Sequence, residues 1–448
     1  MLKIFYKFRY AWLCLVVWSI YLAAFWPGLM SPDSISQWEQ VLLKSISNNY
    51  PAFHTLTNWL VTRFWYSPAA IAIIQMVSLA VVFSYVLCEL EFWGVSKRVC
   101  SLIAVMFSMS PVNGMLVITL WKDIPFTAAM LALFAILLRT VRTDGNWLLT
   151  LNGMGTLWGA LLLISLFRHN GVPIVVASLI VLLLVWRKQC GRTIVRIGIN
   201  WLLVFIIITG PIFRLIGIWP MATFFAYQNL LHQIGALVHN GAIEAQRDID
   251  FLVNMQPIET WTRQYHCHSL NPLIYNEEFK HGFLEQSAKP LLGIWWRGVR
   301  QNPELLLRHQ LCVTELLWRI TEPVDKEGRL YITENGIVPN HLGLRTDSLW
   351  PQARAFLNRL VKRTSEPDLV WIVWRPAFYL YILFLLIGLA TLRLKNCKML
   401  LVGIPAVLNT TVWSLIITTQ DLRFQYPVYV MAMIAPALMF AKRIPRGN

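Results

Sequence analysis

Long apolar runs constrain the fold of this chain more than any other feature. Ten of them approach the roughly 20 residues that a membrane-spanning helix needs. They cover residues 10–28, 69–91, 99–118, 124–141, 147–167, 171–186, 197–217, 373–392, 399–418 and 426–441. Only 14% of the residues are charged and 56% are hydrophobic, whereas a soluble surface needs far more charge. We therefore predict an all-α integral membrane protein with about ten transmembrane helices.

One long polar stretch, residues 218–372, interrupts the spans. It separates an N-terminal membrane region (1–217) from a C-terminal one (373–448). Apolar residues recur within it at helical spacing, which predicts a mainly helical domain. The predicted helices lie at 225–239, 277–301 and 303–320. Residues 324–343, which contain Gly and Asn, are expected to be irregular.

The distribution of Lys and Arg gives the orientation. One set of short segments holds seventeen basic residues, namely Lys3, Lys7, Arg9, Lys97, Arg98, Arg139, Arg142, Arg187, Lys188, Arg192, Arg196, Arg393, Lys395, Lys398, Lys442, Arg443 and Arg446. The alternate set holds seven, namely Lys44, Arg63, Lys122, Arg168, Arg214, Arg375 and Arg423. Because basic residues favour the cytoplasmic side, both termini are expected there, in a bacterial inner membrane. The net charge of +16 thus reflects topology, and a nucleic-acid partner is excluded.

The first outer loop, residues 29–68, contains a second helical pattern. Residues 51–66 carry apolar side chains at helical spacing but are too few to span a bilayer comfortably. We interpret them as a helix lying in the membrane interface. The alternative is an eleventh span, which would invert everything downstream and conflicts with the charge asymmetry.

Two of the seven cysteines, Cys267 and Cys312, fall in the outer polar domain. They either form one disulfide in an oxidising compartment outside the membrane or remain two free thiols.

Acidic residues are scarce outside the polar domain, and those predicted at the outer face are candidates for function. Only Asp33, Glu39, Asp123 and Asp421 meet this description. A charged group near hydrocarbon costs roughly 2.5–3.5 kcal/mol, so it is usually paired or functional. A cluster of such groups from separate spans is expected of an active site in a membrane protein.

Two segments supply candidate carboxylates. Residues 31–34 (SPDS) fit a helix N-terminus, in which Asp33 either favours the helix dipole or serves as a general base at the membrane surface. Residues 121–125 (WKDIP) open the fourth span with Lys122 and Asp123, either a solvated helix end or a second essential acid. Any metal would be held by Asp33 and Asp123, because carboxylates are the ligands that hard cations prefer.

Two further segments supply candidate cations. Arg168 and His169 lie in residues 167–171 (FRHNG), and Arg423 lies in residues 420–427 (QDLRFQYP) with Asp421 and Tyr426. A guanidinium at this depth either snorkels, pairs with a neighbouring acid, or grips a phosphate bidentately. His54 on the interfacial helix is a weaker candidate. No Walker loop, dinucleotide-binding glycine pattern or G-x-S-x-G is present, so no nucleotide cofactor is expected.

The order and common sidedness of these segments resemble the GT-C superfamily of integral-membrane glycosyltransferases, including protein O-mannosyltransferases and the lipid A aminoarabinose transferase. The resemblance rests on the acidic first outer loop, the Pro-containing helix at 50–54 (YPAFH), the acid between spans three and four, and the late D-x-R-x-x-Y-P segment. It implies a polyprenyl-phosphate sugar donor, an outer-face acceptor (glycan, lipid or protein) and inversion at the anomeric carbon. Matched by position, Asp33 would be the base and Asp123 the second acid. From the chemistry of the cations, we expect Arg168 and Arg423, helped by Lys122, to hold the donor phosphate.

This chain departs from the family pattern in two ways, which leave the divalent metal and the acceptor type undecided. The first loop lacks a paired acid, Glu39 being the nearest to Asp33, and the large domain interrupts the spans instead of following them. Two other functions stay open: a surface-polysaccharide polymerase or ligase, and a lipid-linked sugar transporter or flippase.

The orientation is tested by reporter fusions. Alkaline phosphatase fused after residue 240 is expected to be active, and the enzyme fused after residue 190 inactive, because it folds only outside the cytoplasm. Fluorescent-protein fusions at the same sites serve as the reciprocal control. Fluorescence from the fusion after residue 240 would contradict the predicted topology.

Overall fold

The computed structural model describes residues 8–321 and 335–442 as an all-helical protein without named strands. The helices of the first half are α1 Ala11–Ala24, α2 Pro32–Leu43, α3 Ala52–Phe64, α4 Pro68–Phe92, α5 Lys97–Met109, α6 Pro111–Val117, α7 Asp123–Arg142, α8 Leu151–Phe167, α9 Gly171–Ile207 and α10 Phe213–Leu215. Those of the polar stretch are α11 Thr223–His239, α12 Gln246–Val253, α13 Ile258–Gln264, α14 Asn271–Ile274, α15 His281–Ser287, α16 Lys289–Gln301, α17 Pro303–Val313, α18 Glu315–Trp318, α19 Pro351–Thr364 and α20 Val370–Val373. The last are α21 Pro376–Leu394, α22 Ile404–Ile416 and α23 Tyr426–Ile434, with 3-10 turns at Cys397–Gly403, Leu422–Gln425 and Ala435–Phe440.

Five of these helical segments are long and apolar enough to cross a membrane, which confirms the expected helical and apolar character of the fold. They are Pro68–Phe92, Asp123–Arg142, Gly171–Leu215, Pro376–Leu394 and Cys397–Ile416. A sixth is the pair α5 and α6, which bends by 62° because Pro111 starts a new helix. The predicted spans at 10–28 and 147–167 appear as the shorter apolar helices α1 and α8.

The sequence predicted two spans between residues 171 and 217, and the structure contains one helical segment that folds back on itself. Trp186 and Cys190 have non-helical backbone angles and break α9. A Cβ on Gly198 would lie 3.4 Å from Cδ1 of Leu179, although 19 residues of straight helix would separate them by about 28 Å. The two arms therefore run antiparallel.

Contacts at one end of the helical bundle join residues that the charge count placed on one side. Arg142 pairs with Glu89 at 3.2 Å, and Lys398 pairs with Asp144. The main chain of Lys442 donates to the carbonyl of Trp93 at 2.7 Å. The remote segments that meet here were all assigned to the same side from sequence.

At the other end, short main-chain bridges tie together the segments that the charge count assigned to the outer side, and we call them the outer layer after that prediction. Leu29 accepts from the amide of Leu120 and donates to Ile118, each at 3.0 Å. The neighbouring Met30 accepts from the amide of Val338 at 3.1 Å. In the same way Leu270 donates to Thr418 at 2.8 Å. The first loop, the start of α7, the polar stretch and the last loop are thus held in one layer.

A helix is present where the sequence predicted one at 51–66, namely α3, and its two faces are sharply different. Its buried face is polar and includes His54, Thr55 and Asn58. Leu60 and Phe64 are 54% and 88% exposed, respectively. An exposed apolar face over a polar buried face fits a helix whose outer side contacts lipid.

The first part of the polar stretch, residues 224–294, builds its own hydrophobic core, whereas Leu357 and Val361 further along pack in the core of the helical bundle. The core of residues 224–294 includes Leu231, Leu252, Trp261, Leu273, Leu284 and Leu291. The helix predicted at 225–239 is present, whereas the one predicted at 277–301 is divided into α15 and α16 just before Pro290. Part of the irregular segment predicted at 324–343 lies outside the described residues, and its described part contains no helix.

Gly114 on α6 provides a test of the packing beneath the outer layer. A Cβ at this position would lie 2.3 Å from Cζ of Tyr21, in the buried core. We expect Gly114→Ala to destabilise the protein by about 1–3 kcal/mol, because over-packing forces α1 away from α6. The measurement is the thermal unfolding midpoint in detergent. Gly155→Ala, which meets no atom within 4 Å, is the matched control, and equal midpoints for the two variants would contradict the packing described.

Candidate functional site

The start of α2 is fixed so that Asp33 lies at the outer layer. Ser31 caps the helix, and its side chain and that of Ser34 form a reciprocal capping box. The indole of Trp121 donates to Oγ of Ser31 at 2.8 Å, and Oγ of Ser34 donates to the carbonyl of Leu120 at 2.8 Å. The cap that the sequence predicted therefore also binds the helix start to the segment before α7.

Asp33 lies between two cations and a phenol. Nη1 of Arg423 donates to Oδ2 of Asp33 at 2.9 Å, and Nζ of Lys122 lies 4.0 Å from the same oxygen. The hydroxyl of Tyr50 donates to Oδ1 at 3.4 Å. Burial opposes ionisation of Asp33, but Arg423 and Lys122 outweigh it and hold its pKa below the usual value. The side chain nevertheless remains 29% exposed, so an incoming group can reach it.

Arg423 joins two acids from different parts of the chain. Its Nε lies 3.0 Å from Oδ2 of Asp421, and Oδ1 of Asp421 accepts from the main-chain amide of Arg423 at 3.0 Å. The guanidinium also stacks over the indole of Trp121 at 4.8 Å. Burial raises the pKa of Asp421 to about 6, although Arg423 opposes the shift. Asp421, Trp121 and Asp33 therefore orient the guanidinium of Arg423, and its Nη1 is directed to Asp33.

The second predicted acid, Asp123, forms a buried ion pair with Arg168. Both side chains are almost completely buried. The guanidinium of Arg168 lies 4.6 Å from the ring of Trp413 and 5.2 Å from that of Phe424, which stack on each other at 4.0 Å. Arg168 is therefore enclosed by aromatic rings and by Asp123, in a more restricted position than that of Arg423.

Asp123 retains one unused oxygen. Its Oδ2 is buried and has no hydrogen-bond partner among the described residues. A carboxylate oxygen left in this state is costly unless a donor or cation reaches it. Within residues 8–321 and 335–442, however, the one group of three or more side chains placed to hold a metal is Cys267, His268 and Cys312. Asp33 and Asp123 are not part of such a group.

Three carboxylates and three cations make the cluster electrically balanced. Lys122 belongs to it and also lies over the ring of Tyr50 at 4.8 Å. Burial lowers the pKa of Lys122 to about 8, while Asp33 and Asp123 favour its charged form. At neutral pH the lysine is charged but loses its proton more easily than an exposed lysine does. A bound anion would be attracted to Lys122 and Arg423 and would compete with Asp33 for both.

The two predicted histidines lie beside the cluster and are neutral. His54 is buried, and its Nδ1 has no hydrogen-bond partner in the described part of the chain. Nε2 of His169 contacts Oδ1 of Asn48 at 3.2 Å. Burial lowers the pKa of His54 to about 3 and that of His169 to about 4. Neither adds charge to the site at neutral pH.

Glu39 and Tyr426 lie apart from this group. Glu39 is six residues along α2 from Asp33, about 9 Å further along the axis, and it contacts Nε2 of His341 at 3.0 Å. Tyr426 is fully buried at the start of α23, and its hydroxyl has no partner among described residues.

The sequence interpretation did not single out Gln420, although the structure makes it a junction. Gln420 is fully buried, and its main-chain N–H donates to the carbonyl of His268 at 3.0 Å. Its side chain donates to the carbonyl of Cys312 at 2.9 Å, and Cys312 forms a disulfide with Cys267. The disulfide, left open by the sequence, therefore connects the two segments that hold Gln420. The one signal in the sequence was a neutral polar residue next to Asp421.

Comparison with known proteins adds nothing to this geometry, because the chain matches no family model, no curated protein and no solved structure.

The Asp123–Arg168 pair is tested by a double-mutant cycle. Asp123→Asn and Arg168→Gln are each expected to cost about 3–5 kcal/mol of stability, because each leaves its partner buried and uncompensated. The double variant is expected to cost clearly less than the sum, as measured by thermal or denaturant unfolding. The exposed pair Arg345 and Asp347 is the matched control and should couple by less than about 1 kcal/mol. Additive effects at Asp123 and Arg168 would contradict the pairing.

Proposed function

We propose that this protein is a membrane glycosyltransferase of the GT-C type that moves a sugar from a polyprenyl-phosphate donor to an acceptor outside the cytoplasm. The observation that carries the proposal is the state of Asp33. Its carboxylate is accessible, yet it lies between Arg423 and Lys122. A base beside two cations is suited to a reaction that removes a proton from one substrate while a phosphate leaves the other.

The proposed topology has about ten spans in a bacterial inner membrane, with residues 218–372 as a periplasmic domain. The helical hairpin in α9 supports two spans where one continuous segment is found. The disulfide between Cys267 and Cys312 supports an oxidising location for the domain, whereas the other five cysteines form no disulfide. The gathering of Asp33, Asp123 and Asp421 in one layer supports an active face at that side.

Arg423 and Lys122 are the proposed ligands of the donor phosphate. Both point their charges at Asp33, in an accessible part of the cluster, so a phosphate entering there meets two cations at once. Arg168 is enclosed by aromatic rings, and we assign it to positioning Asp123 and to the local positive potential. This division refines the expectation that all three cations bind the phosphate directly.

The proposed step is a single displacement at the anomeric carbon. An acceptor hydroxyl or amine gives its proton to Asp33 as its oxygen or nitrogen bonds to that carbon. The bond from the carbon to the phosphate oxygen breaks, and the polyprenyl phosphate leaves with the electron pair. Arg423 and Lys122 stabilise the charge that develops on the phosphate, and the configuration of the sugar inverts. No nucleotide is needed, because the donor arrives already activated.

The polar domain is proposed to cover the site and to bind the acceptor. Its Phe225 contacts the ring of Tyr50 edge-on at 6.3 Å, and Tyr50 donates to Asp33. Tyr275 of the same domain is 61% exposed, and its ring contacts that of Phe224 edge-on at 6.2 Å. Aromatic rings around the base are suited to stacking on a sugar acceptor.

Transport is the second candidate that an observation favours. The 62° bend between α5 and α6 resembles the broken helices of transporters. The charged cluster, however, lies at the helix ends and not at the middle of the bundle, where transport sites are built.

A deletion strain complemented with variants tests the proposal whichever sugar is transferred. Surface glycans are compared by mass spectrometry, and loss of one sugar mass on deletion should be restored by the wild type. Asp33→Asn is expected to reduce restoration by about 10²–10⁴-fold in rate, because it removes the base and keeps the size. Glu39→Gln on the same helix is the control and should restore fully. Full restoration by Asp33→Asn would overturn the role of Asp33, and unchanged glycans in the deletion strain would overturn the function.

A further inference from the structure

A cavity of about 570 Å³ lies in the polar domain, between the end of α11, the segment around Tyr265 and the first half of α17. Its volume is within the range of roughly 300–1,000 Å³ that small-molecule sites occupy. Its residues are Ala236, Asn240, Tyr265, Cys267, Gln301, Asn302, Pro303, Glu304, Leu305, Arg308, His309 and Cys312. None of the residues in the charged cluster around Asp33 belongs to it.

The groups around this cavity are polar and carry no net charge. The amides of Asn240, Gln301 and Asn302 can each donate and accept hydrogen bonds. The two charged side chains, Glu304 and Arg308, pair with each other at 2.6 Å. A phosphate or other anion would find no spare cation here. A ligand with many hydroxyl groups, each a donor and an acceptor, matches the amides.

The floor of the cavity is built from buried rings held in fixed positions. The hydroxyl of Tyr265 hydrogen-bonds Nδ1 of His309 at 2.8 Å, and His309 is almost completely buried. His232 stands perpendicular behind His309 with ring centres 4.5 Å apart. Its Nε2 contacts the carbonyl of His266 at 2.9 Å, while its buried Nδ1 has no hydrogen-bond partner in the described residues. Burial lowers the pKa of His309 to about 3 and that of His232 to about 4, so both rings are neutral.

Several atoms of this floor are already engaged and do not offer themselves as metal ligands. Nδ1 of His309 is engaged by Tyr265, and the sulfur atoms of Cys267 and Cys312 are joined to each other. A site with neutral amides, an aromatic ring and small apolar patches is typical of a carbohydrate-binding pocket, in which the ring packs against the sugar.

The cavity is also connected to the charged cluster. Cys312 lines the cavity with its side chain, and its carbonyl accepts from the side chain of Gln420 at 2.9 Å. Gln420 immediately precedes Asp421, which orients Arg423. An occupant of the cavity therefore lies against the wall that positions the cluster.

We propose that this cavity is a second ligand site that binds a neutral saccharide, namely a distal sugar unit of the acceptor. The assignment to the acceptor rests on the proposed glycosyl transfer, whereas saccharide binding itself does not. With this assignment the acceptor is a glycan that the polar domain binds at two places, the cavity and the aromatic rings beside Asp33. Binding at the cavity and transfer at Asp33 are then separable properties.

Saccharide binding is measured on the full-length protein in nanodiscs, without any donor. The neutral probes are cellobiose, mannobiose, lactose and chitobiose, and digalacturonate is the acidic probe. Binding of each probe is measured by saturation-transfer NMR and calorimetry. We expect at least one neutral disaccharide to bind with a millimolar-range Kd, and digalacturonate to bind at least about tenfold more weakly. Asn240→Ala and Gln301→Ala should each weaken binding by about fivefold or more.

Gln286→Ala, an exposed amide outside the cavity, is the matched control and should bind as the wild type does. Asp33→Asn should also bind normally, which separates this site from the transfer reaction. Absence of binding by every neutral probe, stronger binding of digalacturonate, or no effect of Asn240→Ala and Gln301→Ala would each overturn the saccharide site. Saccharide binding with no glycan change in the deletion strain would instead overturn only the transferase assignment. Both alanine positions are partly or fully exposed, and unfolding midpoints are measured to confirm that the variants fold.

Discussion

The position of Arg423 between Asp33 and Asp421 is the interaction on which the site depends. Nη1 of Arg423 lies 2.9 Å from Oδ2 of Asp33, and its Nε lies 3.0 Å from Oδ2 of Asp421. The first and last loops, which are far apart in the chain, are joined in this way. Removing either acid leaves the guanidinium with one fewer partner in a buried place, which is costly. The stacking of Trp121 on the same guanidinium adds the start of α7 to the junction. Three remote segments therefore contact the same guanidinium, and these contacts define the geometry of the outer layer.

The polar domain is part of this arrangement. Its backbone at His268 and Cys312 holds Gln420, next to Asp421. The disulfide between Cys267 and Cys312 fixes the distance between those two supports. Hydrogen bonds to Gln420 therefore link the polar domain to the cluster, which is built from the first and last loops.

The sequence predicted which residues could form the site but not how they pair. Scarcity of acids outside the polar domain singled out Asp33, Asp123 and Asp421, and the structure brings all three to one layer. It also singled out Glu39, which contacts a histidine further along α2. Because a charge near hydrocarbon needs a partner, sequence identifies charged positions well. The choice of Asp123 for Arg168, and of Asp33 for Arg423, depends on loop paths that no local pattern specifies.

By itself the sequence determined the helical, apolar character of the fold and the helix cap at Ser31. These follow from local periodicity and composition, which act over one helix at a time. Only the tertiary structure decided that Cys267 pairs with Cys312. It alone enclosed Arg168 in aromatic rings while leaving Asp33 accessible. Those outcomes depend on contacts between distant segments, whose free energy is settled by packing and not by neighbouring residues.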